Sequence, residues 1–379
     1  MVEARAARAA ADSLSAALER SDFVGWDPYD ALASPGIRAL ARTPFLRQAA
    51  IQAVKAVPFN PRRVLGVPRT ENPKALALFV SAYVRLARLE PESRYRELAL
   101  ALAARLEARA IPAGEGVGWA YPFDVQTRWG YYPRTLPNAV VTSFAAHALL
   151  DVESLSSERS FTPTVDAALA YASSRLAVEK GSERFFAYYE GSSAAIHNAS
   201  LLVASVFARR GRLEYAGPAL RYSLERQQPD GSWPYGDKAE LGWVDGYHTA
   251  FILWALDQAS VLPEEAGRIS DALARALDFF LERLVDDDGA VRASPEARHP
   301  IDIHSCSSSV WALSALQRRD QRALEAAERV LAWTLAHMRR RDGRFAFQRR
   351  RLFRASVPYP RWSDGHMLLA LAEFLSAEG

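Results

Sequence analysis

Residues 216–257 decide the fold, because they join two helical segments through a glycine-rich turn and an aromatic loop. They read AGPALRYSLERQQ (216–228), PDGSWPYG (229–236), DKAELG (237–242) and WVDGYHTAFILWALD (243–257). In the first segment Leu220 and Leu224 are spaced for one face of an amphipathic helix. Proline, aspartate and glycine at 229–231 end that helix with turn chemistry. Asp245 is a candidate N-cap for the second helix.

The same plan recurs along the chain at intervals of about 50 to 65 residues, the length of a helical hairpin with its loop. Apolar helices open near Asn72, Asn138, His197, Tyr247, His304 and Ser363. We predict helices over 1–20, 35–56, 74–89, 95–108, 138–151, 162–178, 197–210, 215–228, 247–258, 266–284, 304–317, 321–339 and 362–376. Since no strand-period segment exceeds a few residues, the sequence predicts an all-α protein. We expect an α/α toroid of about six helical hairpins, an (α/α)6 barrel.

Composition predicts one soluble, globular domain. The 379 residues are 49% hydrophobic and 24% charged, enough to bury a large core. Residues 1–60 are predicted as an N-terminal helical extension with the first outer helix, and residues 61–379 as the toroid. The N-terminus has no apolar segment of a signal peptide, no run approaches the ~18 apolar residues of a membrane span, and Cys306 is the single cysteine. These features predict a cytoplasmic protein.

The net charge of +3 is unevenly distributed, since Arg339–Arg354 contains eight arginines in sixteen residues. One interpretation is a solvated loop. The other is a docking patch for an acidic glycan, a diphosphate or an anionic lipid surface, because guanidinium groups suit phosphate and carboxylate. No nucleic-acid-binding motif accompanies the patch, so nucleic acid is not a predicted partner.

Two segments carry a resemblance to a known group. ALRYSLERQQPDGSW (219–233) resembles the QW repeat of terpenoid cyclases, and VDGYHT (244–249) is similar to inner-helix openings in protein prenyltransferase β subunits. Degenerate echoes at 276–290 and 331–345 extend the resemblance over most of the chain from about residue 70 onward. The chain is also similar to uncharacterised bacterial toroid proteins associated with polysaccharide biosynthesis. The resemblance implies the toroid, but fold does not determine activity.

The chemistry of those families is not matched. Class II terpenoid cyclases protonate their substrate with DxDD, whereas residues 285–288 read VDDD. Protein prenyltransferases bind zinc through Asp-x-Cys and a later histidine. Here Asp245-Gly-Tyr247 places a tyrosine where the thiolate would be, with His304 one repeat later. Cys306 with Asp302 and His304 is a weaker zinc set, and we predict neither a metal nor another cofactor.

Histidines mark the openings of the predicted inner helices. They are His197, His248, His304 and His366, with Asn138 in the equivalent place of an earlier hairpin. An acidic residue lies two or three positions before three of them: Asp245, Asp302 and Asp364. Any single histidine of this kind can be a core residue or a helix cap. Because helix openings converge on one mouth in a toroid, we expect these side chains to share a cavity.

Such a mouth offers carboxylates and imidazoles for acid and base work near neutral pH, with positive potential from helix N-termini. The predicted catalytic residues are Asp245, Tyr247, His248, His304, Asp364 and His197. The predicted substrate contacts are Tyr121, Asp124, Trp129, Asn138, Tyr235, Asp302, Arg361, Trp362 and His366. Aromatic residues of the rim suit sugar rings and isoprenoid chains equally, so they leave the substrate open.

The first functional prediction is a carbohydrate-active enzyme of polysaccharide metabolism that acts on an acidic or lipid-linked glycan. A hydrolase needs two carboxylates, whereas a lyase or epimerase needs a base and a proton donor, for which His248 or His304 and Tyr247 are suited. The alternative is an isoprenoid cyclase or prenyltransferase-like enzyme, which an apolar cavity favours. A non-catalytic glycan-binding or partner-binding scaffold is the third, favoured by buried and mutually distant histidines.

Overall fold

The computed structural model describes residues 2–156 and 159–378, so residue 1 of the predicted first helix lies outside the described part. The helices are α1 (Val2–Glu19), α2 (Pro35–Leu40), α3 (Pro44–Ala56), α4 (Pro73–Leu89), α5 (Tyr95–Glu107), α6 (Ala139–Glu153), α7 (Thr162–Tyr171), α8 (His197–Arg209), α9 (Leu213–Leu224), α10 (Gly246–Ala259), α11 (Ala266–Arg283), α12 (Ile303–Ala315), α13 (Gln321–Met338) and α14 (Gly365–Glu378).

Short antiparallel strands occupy the loops between these helices. They are β1 (Ile111–Ala113), β2 (Gly116–Gly118), β3 (Val125–Gln126), β4 (Tyr131–Tyr132), β5 (Ala177–Lys180), β6 (Glu183–Phe186), β7 (Ile301–Asp302), β8 (Gln348–Arg349) and β9 (Arg354–Ala355). β1 pairs with β2, β3 with β4 and β5 with β6, while β8 lies between β7 and β9. The predicted helix over 162–178 ends early, at Tyr171, because a π-turn leads from it into β5.

Six helices form a closed inner ring: α4, α6, α8, α10, α12 and α14 each pack against the next, and α14 packs against α4. Nearly all of their residues are buried, as expected for helices covered on every side. Short connections join inner helices to outer helices at one end of the ring. Long loops lead back at the other end, where the inner helices begin. The predicted (α/α)6 toroid is therefore confirmed, and its long loops all lie on one side.

α1 is the sixth outer helix and completes the second ring. It packs against α14 and α13, and its apolar face, including Ala7, Ala11 and Leu14, is buried in the main core. We expected this helix as an extension together with the first outer helix. The structure makes it an integral outer helix, because its alanine stripe permits close packing. The division of the chain at residue 60 stays a prediction.

Turn glycines join each hairpin to the next outer helix. Gly231, Gly289 and Gly343 have φ of +91°, +87° and +85°, a region that favours glycine. A Cβ atom at each would collide with backbone of the following outer helix, at Arg275 in α11, Arg329 in α13 and Ser13 in α1 respectively. The last of these contacts ties the C-terminal hairpin to α1 and so closes the outer ring.

The residues behind the QW resemblance also connect neighbouring outer helices. Gln227 Nε2 donates to the carbonyl of Ala272 in α11 at 2.9 Å. Trp233 is buried, and its Nε1 donates to the carbonyl of Ser223 in α9 at 2.7 Å. These contacts stabilise the outer ring. They have a structural role and take no part in chemistry at the mouth.

The predicted continuous helix over 35–56 is two helices. α2 ends at Leu40, and α3 begins again with the Thr43 hydroxyl accepting from the Leu46 N–H at 3.3 Å and Pro44 in the first turn. Proline suits a first turn because that position needs no N–H donor. α2 and α3 pack on a small separate core that includes Leu32, Ile51 and Val54. No helix in the described part of the chain is long and apolar enough to cross a membrane.

Candidate active site

A cavity of about 440 Å³ opens at the end of the barrel where the inner helices begin. Its floor is formed by the first turns of the inner helices and its walls by the long loops. Phe144 and Phe251 close the bottom, with their ring centroids 5.4 Å apart. The cavity is therefore a pocket with one mouth, because aromatic side chains fill the barrel below it.

The second residue of each inner helix points to the barrel axis. These residues are Lys74, Val140, Asn198, Tyr247, His304 and His366. All except His366 line the cavity, and His366 lies directly behind His304, with ring centroids 4.0 Å apart. Side chains of a first turn tilt toward the helix N-terminus, so this register delivers one side chain from every inner helix to the same place.

His197 is the first residue of α8 rather than the second, and it does not line the cavity. Its Nδ1 lies 3.4 Å from the Ser223 hydroxyl on the outer helix α9, and burial lowers its pKa to about 4. The cavity position on α8 belongs to Asn198, whose Oδ1 has no hydrogen-bond partner among the described residues. Taking the second residue of each inner helix as the cavity position would have identified Asn198 and Lys74. The pattern of histidines at the helix openings missed both.

Asp245 and His248 form a hydrogen-bonded pair at the start of α10. Asp245 caps the helix by accepting from the His248 N–H at 2.9 Å, and its Oδ2 lies 2.7 Å from His248 Nδ1. Trp243 Nε1 donates to the same oxygen at 3.2 Å. Since a carboxylate only accepts, Nδ1 is the protonated nitrogen in this bond. His248 lines the cavity with Nε2 as its remaining nitrogen.

His304 is held in the same tautomer by different groups. Its Nδ1 donates to the Trp362 carbonyl at 3.1 Å, its ring stacks on the Trp362 indole at 4.3 Å, and Asp302 caps its backbone N–H at 2.8 Å. Burial, with the nearby Lys74 as a second cause, holds the pKa of His304 well below its usual value. The imidazole is therefore neutral at neutral pH, and Nε2 carries a free lone pair.

Tyr247 contacts both imidazoles. Its ring centroid lies 3.9 Å from that of His248 and 4.8 Å from that of His304. Burial, reinforced by the charge of Asp245, raises the pKa of Tyr247 well above that of a free phenol. The phenol therefore keeps its proton, so the ring of a proton donor contacts two imidazoles in one cavity.

Lys74 provides a buried amine at the floor of the cavity. Its Nζ lies 4.5 Å from the centroid of Phe144 and 4.9 Å from that of Phe251. No carboxylate among the described residues forms an ion pair with it. Asp27, whose charge favours the protonated amine, is bound by Arg361, with Arg361 Nη2 to Asp27 Oδ1 at 2.7 Å. Burial lowers the pKa of Lys74 well below its usual value. An anionic group would supply its missing partner.

A stack of aromatic rings leads from the rim to His248. Trp129 is 44% exposed and stacks on Trp243 at 5.4 Å, Trp243 stacks on Tyr235 at 4.5 Å, and Tyr235 contacts His248 at 4.5 Å. On the opposite side Arg361 lies over the rings of Tyr121 and Trp362 at 4.7 and 5.0 Å. Flat aromatic surfaces of this kind bind the faces of sugar rings or hydrocarbon chains.

Nine of the fifteen predicted site residues line the cavity: Tyr121, Trp129, Asn138, Tyr235, Tyr247, His248, His304, Arg361 and Trp362. Asn138 also caps α6, accepting from the Val141 N–H at 3.0 Å. Asp245 and Asp302 lie just behind, where Asp245 holds the ring of His248 and Asp302 caps the backbone N–H of His304. The remaining four are His197, His366, Asp364 and Asp124.

Asp364 and Asp124 turn away from the cavity because other groups bind them. Asp364 is fully buried and accepts from the Arg344 guanidinium at 2.6 Å and from the Phe345 N–H at 3.2 Å. Asp124 accepts from the Arg134 N–H at 2.9 Å. The expectation that Asp364 faces the mouth is therefore not met, since its ion pair uses the carboxylate to anchor the preceding loop.

Acidic side chains are scarce in the cavity. Glu240, in an exposed part of a loop, is the one carboxylate among the described lining residues. Cys306 is buried, and burial raises the pKa of its thiol to about 12. Within residues 2–156 and 159–378, no three His, Cys, Asp or Glu side chains come together as a metal site.

Comparison with known proteins gives similarity in structure but not in sequence. No protein-family model and no curated protein matches the chain. Its structure resembles a sugar epimerase from a ruminal bacterium, with TM-score 0.62, 12% identity and coverage of 83% of this chain and 90% of that one. The fold is that of six-hairpin toroid enzymes.

Two further solved structures support the same conclusion. One is cellobiose 2-epimerase from Bacillus thermoamylovorans, with TM-score 0.63, 12% identity and coverage of 82% and 90%. The other is an unsaturated glucuronyl hydrolase specific for heparin, with TM-score 0.60, 11% identity and coverage of 81% and 87%. At these identities the comparison shows the fold alone, and the specific likeness to terpenoid cyclases is not shown.

Proposed function

We propose that this protein is a carbohydrate-active enzyme that moves a proton on an acidic or lipid-linked sugar, as an epimerase or lyase. The observation that carries the proposal is the arrangement of Tyr247 between His248 and His304 in one cavity. Both imidazoles hold a proton on Nδ1 and leave Nε2 as the available nitrogen. Proton abstraction and return need this combination of base and acid.

A glycoside hydrolase is the less suitable member of the carbohydrate class. Hydrolysis by the usual route requires two carboxyl groups on either side of the scissile bond. The only carboxylate in the described cavity wall is that of Glu240. Asp245 is bonded to the ring of His248, and Asp302 is bonded to the backbone N–H of His304. The site therefore favours abstraction of a proton from a C–H bond over hydrolysis of a glycosidic bond.

A uronate fits the electrostatics of the pocket. Its carboxylate would pair with Lys74 at the floor, near the N-termini of the inner helices, where backbone N–H groups give positive potential. His304 or His248 would take the proton from the carbon next to the carboxylate, and the resulting negative charge would be stabilised by the same groups. Tyr247 would return a proton in epimerisation or protonate the leaving oxygen in elimination.

The structural neighbours support the substrate class. Those described above are named as epimerases of sugars or as a glucuronyl hydrolase, so enzymes with this fold act on sugars. The stack from Trp129 to Tyr235 would form one wall beside the sugar rings, and Arg361 with Trp362 would form the facing wall. The substrate would then enter along the rim with its reacting sugar at the floor.

Solvent exchange tests this proposal directly. Uronate oligosaccharides and reducing disaccharides are incubated with the enzyme in D2O, and NMR follows deuterium incorporation at the carbon beside the carboxylate or carbonyl. His248→Gln and His304→Gln should each slow exchange by about 100-fold or more, the usual contribution of a positioned base. His337→Gln, on the outer helix α13, is the matched control. Exchange that survives both cavity variants would refute the assignment.

The isoprenoid alternative keeps one specific observation in its favour, the predominance of aromatic side chains in the cavity wall. Cyclisation of an isoprenoid would need a proton donor stronger than a phenol or departure of a diphosphate. Mass spectrometry of incubations with isoprenyl diphosphates separates the two proposals. A hydrocarbon product would replace the glycan assignment. A scaffold without chemistry is less consistent with two histidines that both contact Tyr247.

A further inference from the structure

The segment that includes α2, α3 and the loop after them exposes several large apolar side chains. We name residues 35–66 the cap surface. Leu40, Phe45 and Val64 are 80%, 78% and 91% exposed, and Leu46, Phe59 and Leu65 are exposed as well. Single exposed apolar residues are ordinary, but a cluster of this size on one segment indicates an interaction surface.

The charge of this segment has one sign. Residues 31–70 contain seven lysines and arginines and no aspartate or glutamate. Arg62 is buried against Asp30, with its Nε 2.7 Å from Oδ1. Arg38, Arg42 and Arg63 are exposed and alternate with the exposed apolar residues. The cap surface therefore combines cationic groups with apolar side chains, which is complementary to an anionic surface that has an apolar interior.

The cap surface lies on the mouth side of the barrel. The guanidinium of Arg47 lies 4.9 Å from the ring of Tyr131, in the loop that carries Trp129. Lys55 at the end of α3 lies 4.4 Å from the ring of Tyr29, which lines the cavity. The cap thus borders the entrance to the proposed active site.

A second exposed element lies on the same side. The hairpin of β8 and β9 precedes an inner helix, so it belongs to the mouth-side loops. Its tip exposes Leu352, at 92%, and Phe353, between the exposed arginines Arg351 and Arg354. This tip is part of the arginine-rich segment 339–354, so the two elements carry the same combination of charge and apolar side chains.

We propose that the protein docks its mouth side on an anionic phospholipid bilayer through the cap surface and the tip of the β8–β9 hairpin. Leu40, Phe45 and Val64 would enter the region between headgroups and acyl chains, while the interleaved arginines bind lipid phosphates. A protein interface would require a continuous apolar centre with a polar rim. Apolar side chains separated by arginines are better suited to insertion between lipid headgroups.

Docking in this orientation extends the proposed function without depending on it. A cavity that opens toward a bilayer can receive the sugar of a lipid-linked saccharide whose lipid stays in the membrane. The position of the surface follows from exposure and charge, independently of the chemistry of Tyr247 and its neighbours. If either the docking surface or the proposed function is refuted, the other proposal is therefore unaffected.

Vesicle sedimentation tests the docking surface with the full chain. Vesicles of phosphatidylcholine alone are compared with vesicles that also contain phosphatidylglycerol, and the bound fraction is measured at low and at high salt. We expect binding to the anionic vesicles only, weakening with salt. Arg38→Glu with Arg42→Glu should lower the partition coefficient at least about tenfold, since each arginine near an anionic surface contributes a factor of roughly five.

Matched variants at the opposite end of the barrel provide the controls. Arg212→Glu with Arg318→Glu changes the same number of exposed charges, and Leu213→Ser with Val261→Ser matches Leu40→Ser with Phe45→Ser. The proposal requires that only the cap variants lose binding while all variants keep the helical circular dichroism spectrum of the wild type. Absence of wild-type binding to anionic vesicles, or equal loss in the control variants, would overturn it.

Discussion

The carboxylate of Asp245 bonds at once to the backbone N–H and to the ring Nδ1 of His248, at 2.9 and 2.7 Å. One residue therefore begins the inner helix α10 and selects the tautomer of the histidine that this helix presents to the cavity. Asp302 caps His304 in the same way but leaves its ring to the Trp362 carbonyl. Helix capping and orientation of the base are thus performed by one carboxylate at His248, whereas at His304 Asp302 caps the helix and the Trp362 carbonyl orients the ring.

Asp245→Asn should distinguish the effect of Asp245 on helix stability from its effect on catalysis. Asparagine still caps a helix, so the free energy of unfolding should change by less than about 1 kcal/mol. An amide can donate to Nδ1, which would move the ring proton to Nε2 and lower turnover by about 100-fold. Steady-state kinetics and urea unfolding measure the two effects. Asp257→Asn, near the other end of α10, is the control and should leave kcat unchanged.

Acid should destabilise the fold through its buried histidines. Burial lowers the pKa of His197 to about 4 and holds that of His304 well below its usual value. Below about pH 6.5 the unfolded chain binds protons at these sites that the folded chain does not, so the free energy of unfolding falls by up to about 1.4 kcal/mol per pH unit for each site. The contribution of these two histidines to stability is fully present above that pH and is lost as the pH falls toward their folded pKa values.

Urea unfolding between about pH 7 and pH 5 measures this slope. His197→Asn should reduce it, because one of the sites that titrates only in the unfolded chain has been removed. His337→Asn on α13 should leave it unchanged. A slope in His197→Asn equal to that of the wild type would contradict the prediction.

Lys74→Met should weaken binding without destabilising the fold. Methionine fills a similar volume between Phe144 and Phe251 and removes an amine that has no ion-pair partner in the described structure, so the melting temperature should hold or rise. Affinity for an acidic ligand should fall at least about tenfold, because a charge-assisted hydrogen bond contributes about 1.5–3 kcal/mol. Calorimetric titration with uronate oligosaccharides measures this. Lys180→Met in the exposed strand β5 is the control, and equal affinity in both variants would contradict the prediction.

Substitution of two tryptophans should distinguish a role in glycan binding from a role in the stability of the fold. Trp129→Ala removes a half-exposed ring at the rim, so glycan affinity should fall roughly three- to tenfold while the melting temperature stays within experimental error. Trp233→Ala removes a buried ring and should lower the free energy of unfolding by about 3–5 kcal/mol. Thermal melts with and without ligand test both. A loss of stability in Trp129→Ala would assign that ring to packing.

Local sequence patterns were sufficient to predict the helices and their openings. N-caps such as Asn138, Asp245 and Asp302 act within three residues of their own position, so they can be recognised in the chain. The repeat of apolar helix openings with intervening aromatic loops predicted the toroid, and with it a shared mouth for His248, His304 and Tyr247. The break between α2 and α3 was missed, although Thr43 and Pro44 carry its signal.

Tertiary structure decided which residue of each opening reaches the cavity. His197 and Asn198 are adjacent in sequence, yet only Asn198 faces the axis, because the packing of α8 against its neighbours sets the rotation of the helix. Arg344 binds the carboxylate of Asp364 and so keeps it out of the cavity. α1 closes the outer ring through a contact with Gly343, which is far away in the chain. The sequence by itself determined the helices and their caps, since those depend on short-range hydrogen bonds and periodicity, and the repeat of the hairpins predicted the barrel. The composition of the pocket depends on contacts between residues far apart in the chain, which only the folded barrel brings together.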